Sequence, residues 1–254
     1  MLINLTIVGG CFPVQNNIPQ EYLYHRFVKK ELEERYNAEL KINIIRYERF
    51  AGCFEKIEKF GDENNIDVLL FHIRAEQFLR ICKLYYKYSG GNKNIKRDFN
   101  IPLVNRVPSE KKDLLMLNMP VPDGNKKKSI LRKYKICLNL IAGIMGGNKK
   151  YALKKYEELI DKVIKFCEEK KIKLIIAGPA SRPDLNLEDK LTGELNLFFK
   201  GKAEQMKIPF INLTGYMNEK NESLFFSNGI HVSEAGHKRA ADFLTQKLKE
   251  IFFT

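Results

Sequence analysis

Short apolar runs alternate with longer amphipathic stretches along most of this chain, and that rhythm admits few folds. Leu2–Val8, Ile42–Ile45, Ile66–Phe71, Leu174–Ala177 and Phe210–Leu213 are mostly aliphatic and short, as strands are and buried helices are not. Between them, apolar residues recur at helical spacing. After Pro19, a residue suited to a helix start, they are Tyr22, Leu23, Phe27, Val28, Leu32 and Tyr36. Phe54, Ile57 and Phe60 mark the next helix, and further helices are predicted over 75–88, 129–145, 151–169 and 195–206. The last begins near Ser233, an N-cap residue without the acid that would complete a capping box, and runs to about Phe252. Strands joined through helices pair in parallel, which predicts a three-layer α/β/α sandwich on a five-stranded parallel sheet. No repeat or linker divides the chain, so 1–254 reads as one domain. Residues 89–125 break the rhythm with Gly90-Gly91, Pro102, Pro108, Pro120 and Pro122, and read as an irregular, lid-like excursion.

In such sheets ligands bind beyond the carboxyl ends of the strands. The first strand delivers Gly9-Gly10-Cys11-Phe12 to that edge, the second Ala51-Gly52-Cys53, and the third His72-Ile73-Arg74. The last leads to Asn228-Gly229-Ile230-His231 before the closing helix. A thiol, two imidazoles and a guanidinium thus meet at one edge.

Asn228 to His237, ahead of an amphipathic helix, resembles the last block of the SGNH (GDSL-type) hydrolases, Asp-x-x-His, often continued by Gly-His as at Gly236-His237. Cys11 after Ile7-Val8-Gly9-Gly10 falls where that family places its nucleophilic serine. The resemblance implies a flavodoxin-like SGNH fold, an oxyanion-hole amide at Gly52, and Arg74 in the position of the oxyanion asparagine. Ile175 to Pro179 is similar to the strand and loop of the fourth block. Four positions depart from the pattern: Cys11 for serine, Gly10 for aspartate, Arg74 for asparagine and Asn228 for the triad aspartate. These departures suit one another. A thiol ionises near pH 8.5, lower beside an imidazolium, and needs no buried carboxylate behind its base. Asparagine orients the histidine in Cys-His-Asn enzymes. Cys11, His231 and Asn228 are therefore the expected catalytic set, with Gly10, Gly52 and Arg74 binding the oxyanion or substrate.

The implied activity is hydrolysis or acyl transfer on an ester, thioester or amide through a Cys11 acyl-enzyme. The alternative is a degenerate domain that binds without turnover. Arg74 at the cleft points to an anionic substrate, small or carrier-linked, unless Glu76 neutralises it. No cofactor or metal is called for: a zinc site from Cys11, Cys53, His72 and His231 lacks any close ligand pair. His72 and His237 read as core histidines, His25 has no evident partner, and Cys82, Cys137 and Cys167 read as small core residues. The net charge of +13 lies in lysines on helix ends without a nucleic-acid motif, so nucleic acid is not the expected partner. No apolar run reaches bilayer length and no signal peptide is recognisable, which places the expected site of action in the cytoplasm.

Overall fold

The computed structural model describes residues 1–10, 12–15, 18–47, 52–87, 97–99, 130–181, 186–215, 217, 220–225 and 231–253, and statements of absence refer to these. In chain order the elements are β1 (Leu2–Gly9), α1 (Tyr24–Tyr36), β2 (Glu39–Arg46), α2 (Cys53–Glu63), β3 (Val68–His72), α3 (Ala75–Cys82), β4 (Tyr85–Lys87) and β5 (Arg97–Phe99). They continue with α4 (Ile130–Met145), α5 (Asn148–Glu169), β6 (Lys173–Ala177), α6 (Asn186–Gln205), β7 (Phe210–Ile211) and α7 (Glu234–Phe252). The five predicted strands form one sheet in the order β2-β1-β3-β6-β7, every pairing parallel.

Alternation along β1 sorts the two cores. Ile3, Leu5 and Ile7 join Val28 and Leu32 of α1 with Leu244 and Leu248 of α7 on one side. Val8 turns the other way, to a core with Leu69, Phe71, Ile57 of α2, Phe78 of α3, Ile160 of α5 and Phe199 of α6. Each such side chain, fully buried, stabilises the fold by roughly 1.5–3 kcal/mol. The polar Asn4 inside β1 is satisfied locally: its backbone N–H and side-chain amide donate to Asp67 Oδ2 at 2.7 and 2.8 Å.

Helix bounds differ from the sequence prediction at several places, and three of them have clear local reasons. The first helix opens as a 3₁₀ turn at Gln20–Tyr22, and α1 proper starts at Tyr24, whose N–H donates to His237 Nδ1 at 3.2 Å. The helix predicted over 75–88 stops at Cys82. Gly143 lets α4 approach so closely that a Cβ there would overlap the Cys82 carbonyl, and Leu84 N–H donates to Asn139 O of α4 at 3.0 Å. Asn148 Nδ2 takes the Lys83 carbonyl at 2.9 Å, and β4 then pairs antiparallel with β5. Helix α6 begins at Asn186, nine residues before the predicted Leu195. Its acidic first turn, Glu188 and Asp189, suits the helix dipole, whereas Gly193 interrupts the apolar pattern by which a start is read. At α7, Ser233 Oγ accepts from Gly236 N–H at 3.2 Å, the expected N-cap. Of the excursion predicted over 89–125, only Arg97–Phe99 lies within the described residues.

β1 lies between β2 and β3, so the strand order reverses direction there. A crevice at that switch point is where this architecture takes a ligand.

Candidate active site

The strand ends open into a cleft of about 570 Å³. Gly10, Phe12 and Gln15 wall it from the chain after β1, and His72, Ile73, Arg74, Ala75 and Glu76 from the chain after β3. Gly178, Ala180 and Ser181 follow β6, Leu213 follows β7, and Val232 precedes α7.

Gly10 and Arg74 meet directly. A Cβ added at Gly10 would overlap the Arg74 guanidinium, so only glycine lets the β1 end pass under it. Arg74 caps α3 and is largely enclosed. Its Nη1 donates to the Tyr47 carbonyl at 2.5 Å, its Nη2 to Glu76 Oε2 at 2.8 Å, and its carbonyl accepts from the Tyr156 hydroxyl. Tyr47 lies under the guanidinium, 5.5 Å from ring centre to Cζ. Two buried tyrosines and a carboxylate thus hold Arg74 in one place, with the cleft on its open side.

The cleft floor is a cluster of aromatic and imidazole rings. Phe12 stacks on Tyr24 at 4.9 Å, lies tilted on His237 at 4.8 Å and meets the edge of His72 at 5.4 Å. The Tyr24 hydroxyl is 2.6 Å from His72 Nε2, and His25 Nε2 donates to the Pro13 carbonyl at 2.9 Å. His25 therefore has a partner that the sequence did not indicate. His237 Nδ1 accepts from Tyr24 N–H, which leaves its proton on Nε2 in the neutral form. Burial lowers the pKa of all three imidazoles, to about 3 for His72 and about 3 for His237, with repulsion from neighbouring imidazoles a smaller contribution at those two and from Arg26 at His25. His72 and His237 serve as neutral supports for Phe12, and His25 holds the neighbouring Pro13 carbonyl.

His231 is buried, 5% exposed, directly before Val232. That segment is tied to the β1 turn by Phe12, which packs against Val232 and its neighbours Leu224 and Phe225, and by Gln15, whose Nε2 donates to the Val232 carbonyl at 2.7 Å and whose Oε1 accepts from Val232 N–H at 3.1 Å. Gly52 caps α2 with φ of 72°, a left-handed conformation that favours glycine, and is not part of the cleft's described lining. Cys11 and Asn228 lie outside the described residues, although Cys11 falls between Gly10 and Phe12, which both line the cleft. Cys53 packs into the core at 1% exposure, and burial pushes its thiol up to about 12, well away from nucleophile behaviour. Cys82 and Cys167 are buried and Cys137 is half-buried. Among the described residues no three His, Cys, Asp or Glu side chains gather as a metal would require, and no helix is long and apolar enough to cross a membrane.

Of the predicted site, the structure brings Gly10 and Arg74 together at the cleft and places His231 beside its Val232 wall. Sequence reasoning missed the ring cluster and Gln15. His72 and His237 were legible only as separate core residues, and nothing in the spacing of Gln15 signals its partner.

No family model and no curated protein matches the chain. Solved structures do match over their whole length. A catalytic mutant of Axe2, an acetylxylan esterase from Geobacillus stearothermophilus, aligns with TM-score 0.58 and 14% identity, covering 99% of this chain and 95% of that one. A member of the lipolytic G-D-S-L family from Veillonella parvula DSM 2008 gives 0.55 and 12%, covering 98% of each. The acetyl xylan esterase AlAXEase gives 0.56 and 13%, covering 97% and 100%. The chain has the fold of the SGNH (GDSL-type) hydrolases.

Proposed function

We propose that the chain acts as one SGNH-type hydrolase domain over 1–254, cleaving an ester, thioester or amide through an acyl-enzyme on Cys11. The observation that carries this reading is the cleft at the strand-order switch, walled on both sides of Cys11 by Gly10 and Phe12 and faced by the fixed Arg74. His231 takes the Cys11 proton. The thiolate attacks the substrate carbonyl carbon, a C–S bond forms, and collapse breaks the bond to the leaving group, which takes its proton from His231. Water then attacks the thioester with His231 as base; an amine or alcohol in its place gives acyl transfer. Asn228 orients the His231 ring. The Cys11 amide, together with Arg74, receives the oxyanion, and Gly52 is left out of that role because it does not line the described cleft. Four free cysteines, Cys53, Cys82, Cys137 and Cys167, support work in a reducing compartment, the cytoplasm.

Arg74 also decides substrate charge. Glu76 does neutralise its guanidinium, at 2.8 Å, which weighs against an anionic substrate unless the substrate anion displaces that carboxylate. With Glu76→Gln the hydrogen bond can persist while the negative charge is removed. KM for a 4-nitrophenyl ester carrying a carboxylate should then fall about tenfold, the effect of one charge-assisted hydrogen bond, while KM for 4-nitrophenyl acetate stays within about twofold. Equal changes for both esters would remove the anionic-substrate reading. Absence of turnover of either ester by the wild-type protein would favour the binding-only alternative.

A further inference from the structure

We infer that Gln15 is a positioning residue that sets His231 against the turn following β1, an inference that rests on the Cys11–His231 reading above. Its carboxamide is 3% exposed and pairs with both polar groups of the Val232 backbone, as one strand pairs with another. The donor–acceptor pair spans 217 residues of sequence, and the backbone it grips is bonded directly to His231.

Apolar packing also joins the two sides of this clamp, with Phe12 against the cluster of Leu224, Phe225 and Val232 and against His237 of α7, and each side has further anchors of its own. On the β1 side, Phe12 is wedged among Tyr24, His72 and His237, and the Pro13 carbonyl is held by His25. On the other side, Phe225 bridges to Val232, Ser233 N–H donates to the Leu224 carbonyl at 3.0 Å, and Ser233 caps α7. Each anchor fixes its own segment. Gln15 adds the directional, polar link between them, which apolar packing does not supply, so the separation of nucleophile and base depends on its reach. A shift of about 1 Å between reacting groups costs on the order of a hundredfold in rate, and two hydrogen bonds to the N–H and C=O of one residue suppress such a shift. A carboxamide suits the place because it offers a donor and an acceptor side by side without charge.

The proposal is tested by the pH dependence of Cys11 alkylation with iodoacetamide, in a background where the other cysteines are replaced by alanine or serine. In the otherwise intact protein, alkylation should stay fast below pH 7, as expected of a thiolate held by an imidazolium. Gln15→Leu removes both bonds at similar size. Its alkylation profile should move up towards an ordinary thiol, near pH 8.5, and kcat for an activated ester should fall about a hundredfold with KM changed less than about threefold. Gln15→Glu guards against a Leu variant that does not fold. Facing a carbonyl in a buried site, its carboxyl stays protonated, presents the same donor and acceptor, and should restore most of the low-pH reactivity. His231→Ala separates the two levels of the claim. If His231→Ala raises the alkylation profile and folded Gln15→Leu does not, the role of Gln15 is overturned while the thiol–imidazole reading stands. If His231→Ala leaves the profile unchanged, the underlying reading fails. Failure of Gln15→Glu to restore reactivity in a folded protein also counts against the clamp.

Discussion

Replacing His231 by alanine should lower kcat/KM for an activated ester by roughly 10²–10⁴-fold, the contribution of a positioned proton acceptor. The effect should fall mainly on kcat, because the imidazole acts on the proton of the nucleophile and of the leaving group rather than on bound substrate. The pH–rate profile adds a second signature. Wild-type activity should decline on the acid side as the Cys11 thiolate takes up a proton, and in the alanine variant that limb should move up towards an ordinary thiol, near pH 8.5. His231 is buried, so circular dichroism and a thermal melt must first establish that the variant folds. A folded His231→Ala protein with wild-type kcat and an intact acid limb would mean that another group moves the proton.

Acid should unfold this protein earlier than its surface charges alone would. His25, His72 and His237 are buried as neutral rings, with His72 and His237 titrating only near about 3. In the unfolded chain they titrate near their ordinary value of about 6.5. Between those limits the unfolded state binds more protons, so unfolding free energy rises with pH. The stability these rings allow is therefore present above about pH 6.5 and is lost as pH falls towards about 3. Each fully depressed imidazole contributes up to about 1.4 kcal/mol per pH unit, and the two deepest together nearly twice that. Against a total stability of roughly 5–15 kcal/mol, a drop of two or three pH units should remove a large part of it. Urea midpoints measured from pH 7 to pH 4 should show this slope. His72→Gln, which keeps a hydrogen-bonding partner for the Tyr24 hydroxyl, should flatten it by removing one titrating ring. Equal midpoints at pH 7 and pH 5 would contradict neutral burial of the cluster. The site would fail with the fold, since Phe12 rests on these rings beside Cys11.

Strands were legible wherever burial is continuous. β1, β3 and β6 are apolar because both faces are covered by helices, and that requirement leaves its mark in every residue window. The end of α3 was not legible, because its cause is elsewhere: the Leu84 amide goes to Asn139 of α4, and no local preference records a bond to a helix more than fifty residues away. The start of α6 was obscured by Gly193, which weakens an apolar pattern without breaking the helix. At the site, Gly10 and Arg74 could be assigned to one sheet edge, since parallel strands bring their carboxyl ends to the same side, but their direct contact depends on the strand order, which the sequence left open. The ring cluster and the Gln15 clamp could not. The Tyr24–His237 bond spans 213 residues and the Gln15–Val232 pair spans 217, and such contacts arise only after the sheet and α7 have brought both segments to one edge.

Cys11 as nucleophile is tested most directly by intact mass, measured on acid-quenched protein seconds after mixing with 4-nitrophenyl acetate. The wild-type protein should carry one added acetyl group, located on the peptide containing Cys11, and lose it again as the ester is consumed. Cys11→Ala should carry none under the same conditions. The same adduct on Cys11→Ala, or turnover of the ester by that variant at the wild-type rate, would contradict the covalent mechanism.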